Sequence, residues 1–287
     1  MIASAVGVLF DGFAYGMLLF LLSVGLSVTL GMMNFVNLAH CSFAMLGGYV
    51  TVTLMNALGW PFLATLPVAF VAAAAASVVL EDVFFRRFYR ASDLEQCLLT
   101  IGVVFVSIAA AAYIYGTDQQ PLQLPAYLRG SFVFAGLNFA AYRLFLIAVA
   151  VLITIALIAG IEATRFGAQV RAAVNNQRMA RGLGINVDML FAITFALGSG
   201  LAGLGGALAV AMVGLDPSFA FTYLIYVLIV VSVGGLGSIA GSFAAAMVLG
   251  VSDIAGKYYV PAMGSVLIYL VMIVLLMWRP LGLFGRR

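Results

Sequence analysis

Apolar runs of membrane-spanning length fill almost the whole of this chain. A helix needs about 20 residues to cross a hydrocarbon core of about 30 Å. Such runs occupy 4–31, 38–57, 61–85, 94–116, 140–161, 188–213, 219–234, 238–256 and 261–278, leaving little of the 287 residues for anything else. Hydrophobic residues make up 65% of the chain and charged residues only 8%, against about 25% charged in an ordinary soluble domain. The mean hydropathy is +1.20. A soluble protein of this size has too small an interior for that much apolar surface, which excludes soluble enzymes, nucleic-acid binders and disordered chains. Ten-residue segments of alternating polarity, the mark of a barrel, are absent. The expected fold is all-α: one polytopic transmembrane helix bundle over 1–287, with nine spans, or eight if one broken segment does not cross.

Charge orients the bundle. Arg86, Arg87 and Arg90 follow the third run, Arg165, Arg171, Arg178 and Arg181 follow the fifth, and Arg279, Arg286 and Arg287 end the chain. The opposite side carries Arg129, Arg143 and Lys257. Basic loops stay cytoplasmic, so the C-terminus is expected inside and, with nine spans, the N-terminus in the periplasm. No basic residue precedes Arg86 and Asp11 sits early, so 4–31 reads as a retained first span and not a leader. The outer segment 117–139 is short for a ligand-capturing domain.

Two apolar stretches are interrupted. Gly31-Met-Met-Asn-Phe-Val-Asn-Leu-Ala-His40 puts Asn34, Asn37 and the sole histidine, His40, between apolar runs. On a helix these three would share one face. The second interruption contains Gly234, Gly235, Gly237 and Ser238. Discontinuous helices are therefore expected near 31–41 and 234–241. Each break precedes a Ser-Phe-Ala, at 42–44 and 242–244. Irregular backbone at membrane depth survives only inside protein or beside water, and paired Gly-interrupted segments point to a transport site. For His40 a satisfied helix-end residue, a substrate contact and a gating role all stay open. Between 198 and 207 small residues recur at a spacing of four, which fits close helix packing or a helix that moves beside a pathway.

Covalent chemistry is not signalled. No nucleophile elbow or His-Glu-x-x-His occurs. Cys41 and Cys97 have no ligand spacing, and Asp253 is read as a partner for Lys257 more readily than as a proton relay. Gly256-Lys257-Tyr258 misses the phosphate-binding loop by one residue of spacing and by its tyrosine. No cofactor is expected on this chain, and energy for active transport would come from another subunit. Residues 168–182 read as one cytoplasmic helix that Gly184 can stop in a left-handed conformation. Its arginines suit an anionic lipid surface. Its apolar residues Val170, Val174 and Leu183 suit a groove on a cytoplasmic partner.

Taken in order, several motifs resemble the inner-membrane permeases of branched-chain amino acid importers of the ATP-binding-cassette class. They are Asn37-Leu38-Ala39-His40-Cys41 followed by Gly47-Gly48-Tyr49, then Phe85-Arg86-Arg87-Phe88-Tyr89-Arg90 before Leu99-Thr100-Ile101-Gly102. The loop matches at Gly167, Arg171-Ala172, Met179-Ala180 and Leu183-Gly184-Ile185-Asn186. Thr194-Phe195-Ala196, Leu201-Ala202-Gly203, Val233 to Ser238 and Arg279-Pro280-Leu281-Gly282-Leu283-Phe284-Gly285 complete the series. Cys41 stands where the pattern has glycine, adding a Cβ and a thiol.

The resemblance implies a pore of two permeases, two cytoplasmic ATPases that use ATP and Mg, and a periplasmic binding protein. The second permease is expected to be a homologue, giving a heterodimer in the membrane lipid. It makes 162–187 the segment that docks on an ATPase, through Gly167, Arg171, Ala172, Asn176, Met179, Ala180 and Gly184. It places Asn34, Asn37, His40, Gly234, Gly235, Gly237 and Ser238 near the translocation path. Branched-chain or other hydrophobic amino acids are the expected cargo, with urea, short amides or aromatic acids as the alternative within the family. A stand-alone channel or ion-coupled carrier is the alternative of another class.

Overall fold

The computed structural model describes residues 2–33, 35–89, 91–134 and 137–285. Helix α1 spans Ile2–Met33, α2 His40–Leu58 and α3 Phe62–Leu80. The last runs on through a π-helical turn, Glu81–Phe85, into α4, Arg86–Phe88. Then come α5 (Asp93–Tyr115), α6 (Ala126–Arg129), the strands β1 (Ser131–Phe134) and β2 (Leu137–Ala140), and α7 (Ala141–Ala163). Two short helices, α8 (Arg165–Asn175) and α9 (Gln177–Gly182), lead into α10 (Val187–Val213), α11 (Phe219–Gly234), α12 (Ile239–Tyr259) and α13 (Gly264–Trp278). Seven of these helices, among the described residues, are long and apolar enough to cross a membrane, with Phe219–Gly234 and Val266–Trp278 as shorter apolar helices. The nine expected runs thus all appear as helices, within a few residues of the expected ends.

Among the described residues the regular structure is helical with one exception. Within the expected outer loop, β1 and β2 form an antiparallel hairpin in which Ser131 pairs with Ala140 and Phe134 with Leu137. A strand pair is admissible there because a loop beyond the hydrocarbon needs no intra-segment hydrogen bonds. Aromatic and β-branched residues in Ser-Phe-Val-Phe favour it.

Two helices form the centre. The apolar window of α1 is 83% buried and that of α10 67% buried, whereas those of α5 and α7 are 17% and 11% buried. Lipid tails are as apolar as leucine, so burying apolar surface drives little association, and close backbone approach has to supply the contact. The small residues of α10 provide it on several sides. A Cβ on Gly206 would overlap the Ala44 carbonyl oxygen of α2, and one on Gly25 of α1 would overlap the carbonyl of Gly198. Gly203 lies against Ala69 and Ala73 of α3, its Cβ position 2.9 Å from the Ala69 oxygen. The small-residue stretch 198–207 is therefore packed within the chain. Helix α12 closes on α1 likewise, the Cβ position of Gly12 being 2.6 Å from the Val251 Cα, and Ser242 Oγ donates to Ser27 Oγ at 2.9 Å.

Few charges enter the bundle. Lys257 Nζ donates to Asp253 Oδ2 at 2.6 Å, one helical turn away, with the Asp253 side chain fully buried. The ammonium also sits 5.6 Å from the Tyr15 ring centroid. Asp11 of α1 is paired with Arg143 at the start of α7.

Candidate functional site

The first break begins where α1 ends at Met33. Asn34 lies outside the described residues. Residues 35–39 are not helical, and α2 starts at His40. The discontinuity expected near 31–41 is therefore present, and Asn37 and His40 do not share a helical face. The chain turns back instead. His40 Nε2 lies 3.0 Å from the carbonyl oxygen of Leu22, eleven residues before the end of α1. At 1.5 Å per residue, α2 starts about 16 Å back along α1. Its N-terminus, the positive end of the helix dipole, is thus set beside the middle of α1.

A segment of this kind must have its freed backbone groups paired. Gln96 of α5 pairs one of them and ties the break to the turn before α5. Its Oε1 accepts from the Val36 N–H at 3.0 Å, and its Nε2 donates to the carbonyls of Phe88 and Ala91, each at 3.2 Å. Thr100, one turn on, donates its hydroxyl to the Gln96 carbonyl at 2.8 Å, and the Val36 carbonyl lies 3.5 Å from that oxygen. Phe35 is buried against Phe85 and Tyr89. Burial, and then the hydrogen bond it gives to Glu81 at 2.8 Å, push the Tyr89 hydroxyl well above the usual phenol range. Asn37 Oδ1 accepts from the Ala39 N–H at 3.1 Å. Asn37 Nδ2 and His40 Nδ1 are buried with no hydrogen-bond partner among the described residues. Cys41 is fully buried beside them in sequence.

The second break follows α11. Gly235 and Gly237 take φ of 97° and 78°, and Ser238 Oγ accepts from the Gly241 N–H at 3.0 Å to begin α12. The terminal carbonyls of α11, which have no partner in their own helix, are taken by the chain end. Leu283 N–H donates to Val233 O at 2.7 Å and Phe284 N–H to Gly234 O at 3.2 Å. The closing motif at 279–285 is thus part of this break. The two breaks also touch, because the Cβ position of Gly237 is 2.7 Å from the Gly31 Cα. Nothing in their sequence separation announces that contact.

The Arg-rich segment is two helices and not one. Asn176 is extended, and its Oδ1 accepts from the Met179 N–H at 2.9 Å to cap α9. Thr164 caps α8 through the Gly167 N–H at 3.1 Å. Gly184 has φ of 84°, and Ile185 N–H returns to the Ala180 carbonyl at 3.1 Å, closing α9 as the glycine predicts. The segment hangs from α7. A Cβ on Gly167 would overlap the Ile161 carbonyl, and the Arg171 guanidinium donates to that same oxygen. A cation at a helix C-terminus also opposes its dipole favourably. Of the expected docking residues, Gly167 and Ala180 face inward, Ala172 is half-buried, and Arg171, Asn176, Met179 and Gly184 are exposed. Val170 is buried against its own bundle and is not available to a partner. Met179 and Leu183 stand out at 66% and 78% exposure.

A sequence profile of the family described as "Branched-chain amino acid transport system / permease component" matches residues 8–276. The chain belongs to this permease family. Similar proteins include the "High-affinity branched-chain amino acid transport system permease protein BraD" of Pseudomonas aeruginosa, 27% identical over 97% of this chain and 95% of that one. A "Probable branched-chain amino acid transport permease protein LivH" of Methanocaldococcus jannaschii is 29% identical over 94% of this chain and 90% of its own. The Escherichia coli K12 "High-affinity branched-chain amino acid transport system permease protein LivH" is 28% identical over 97% and 94%. No solved structure matches the chain. As a member of this family it is a transport permease component and a multi-pass protein of the inner membrane, and its apolar helices fit that place.

Sequence reading of this permease missed Gln96 as a residue that holds the first break. A signal existed: an uncharged amide in the first turn of an apolar span is costly unless partnered. Gln96→Leu is expected to strand the Val36 N–H and two carbonyls. The cost should be about 2 kcal/mol of stability, read as a lowered thermal midpoint in detergent; an unchanged midpoint would show that other groups hold the break.

Proposed function

We propose that this chain is one half of the transmembrane pore of an ATP-driven importer for branched-chain or other hydrophobic amino acids. It does no covalent chemistry. Two cytoplasmic ATPases close on ATP, the docked segment α8–α9 carries that motion into the spans, and the pathway turns from inside to outside. A periplasmic binding protein delivers the cargo, a second homologous permease forms the other half of the pore, and hydrolysis resets the state. The N-terminus then lies outside and the C-terminus inside, as the arginine distribution favours.

The observation that supports this most is the construction of α8–α9. Both helices are capped by side chains, the pair is tied to the end of α7 through Gly167 and Arg171, and it displays Met179 and Leu183 to the outside. A rigid element joined to a span passes on a rigid-body push. The cargo reading rests on the names of the relatives and on the scarcity of charge in the spans.

The test is a mild-detergent pull-down of the tagged chain from its native membranes, followed by uptake in liposomes. The expected result is co-purification of P-loop ATPases and a second permease, with uptake that requires ATP. A chain recovered alone that moves solute without ATP would instead favour the channel or carrier. Arg171→Ala is expected to cut uptake at least about tenfold while the yield of folded protein holds within about twofold, because the bond it loses fixes α8 to the end of α7 and joins none of the spans to one another. Unchanged uptake would remove Arg171 from coupling.

A further inference from the structure

One groove adjoins the docking segment, which gives it Asn186, yet holds none of the residues expected on the pathway or against an ATPase. Between the π-helical turn of α3 and the first turns of α10 lies a cleft of about 570 Å³. Its mouth is polar, lined by Glu81, Asp82, Arg86, Asn186 and Asp188. A second hollow of about 290 Å³ continues from it, sharing Val78, Met189 and Ala192 and reaching Leu197, with only apolar residues around it. From Asp188 to Leu197 is nine residues, or about 13 Å of helix, close to the depth of one leaflet of a hydrocarbon core of about 30 Å.

The groove is made by specific features. The π-helical turn puts an extra residue into α3, and such turns often mark functional positions. Glu81 is turned inward, where it accepts from Tyr89, while Asp82 stays exposed. On the facing side Asp188 opens α10 and holds Arg181 at 2.7 Å. Arg86 reaches Asp82 at only 3.4 Å, with both side chains more than half exposed. These surface pairs are weak and open to exchange. The mouth thus carries three carboxylates against one lining arginine, with Arg181 at its rim.

We propose that this groove binds one phospholipid with a zwitterionic, amine-bearing headgroup. One acyl chain lies along Val78, Ala192 and Leu197. The phosphate meets Arg86, and the ammonium lies between Asp82 and Asp188. An anionic headgroup without an amine meets the same arginine but faces uncompensated carboxylates. The inference needs only that the chain spans a membrane, so it stands apart from the transport reading.

The experiment uses the complex as extracted from its membrane, exchanged into detergent with equal amounts of phosphatidylethanolamine and phosphatidylglycerol, and read by native mass spectrometry. Wild type should retain one phosphatidylethanolamine per copy of this chain, about tenfold over phosphatidylglycerol, the ratio expected for one charge-assisted contact. Asp82→Asn should remove most of that preference. Val78→Trp, at an exposed position, should fill the apolar hollow and lose the bound lipid of either kind. Both sites face outward, so folding should survive, and a size-exclusion profile checks it. Equal retention of the two lipids by wild type, or lipid retained in full by Val78→Trp, would overturn the proposal. So would cross-linking of Met189→Cys to a partner subunit, since protein would then fill the groove.

Discussion

Gly206→Val is expected to abolish stable folding of the bundle. The first Cβ already overlaps the Ala44 carbonyl oxygen, and that carbonyl belongs to α2 backbone, which cannot move aside alone. To admit the side chain, α2 and α10 must separate. The neighbouring contact between Gly47 and Gly203, where a Cβ would also overlap backbone, then opens with them. Overpacking at flexible sites costs about 1–3 kcal/mol; against paired backbones the cost should exceed the upper end. Since native domains are stable by only about 5–15 kcal/mol, the folded yield in detergent should fall at least about tenfold. Gly102→Ala is the control, because a Cβ there meets nothing within 4 Å. It should be neutral or slightly stabilising, by up to about 1 kcal/mol, as helix propensity alone dictates. Equal behaviour of the two variants would mean that α2 and α10 are not in contact at these glycines.

The second large effect is expected at the displayed residues of α9. Met179→Glu with Leu183→Glu changes side chains that are 66% and 78% exposed. Neither touches the bundle enough to matter for folding, so the melting midpoint should stay within a few degrees. If these residues fill an apolar groove on an ATPase, a carboxylate there is buried unpaired, and hot-spot losses of about 2 kcal/mol or more follow. Co-purified ATPase and ATP-dependent uptake should both drop at least about thirtyfold. Undiminished ATPase recovery would move the docking surface elsewhere. Val170→Glu serves as the contrast. Because Val170 is buried within its own chain, that variant should lose folded protein first.

Several elements of this permease are legible in the sequence, and the reason differs from one to the next. The run 219–234 is bounded by polar residues and glycines, so α11 ends where the expected span ends. Gly184 announces the close of α9 because its left-handed backbone is a conformation that glycine adopts without penalty. The division at Asn176 escaped, although asparagine is among the best residues for starting a helix. The break near 31–41 was legible from its two asparagines and histidine between apolar runs; a common face for Asn37 and His40 would need a helix through 35–39, which are not helical, and Asn34 lies outside the described residues. The Asp253–Lys257 pair was readable because a spacing of four on a helix brings the two side chains together.

The sequence by itself determined that this chain lives in a membrane, which segments become helices, and where two of those helices are interrupted. Each follows from local properties: length of apolar run, cost of burying backbone, positions of glycine and arginine. Only the tertiary structure decided which surfaces meet. It turned α2 back to lie beside Leu22, set Gly31 against Gly237 so that the two breaks adjoin, and brought the closing motif onto the end of α11. It also faced Val170 inward while leaving Met179 and Leu183 out. The physical reason is that in lipid an apolar side chain is equally content against a tail or against protein. Hydrophobicity therefore marks what enters the membrane, and only the fit of small residues, backbone to backbone, selects neighbours within it.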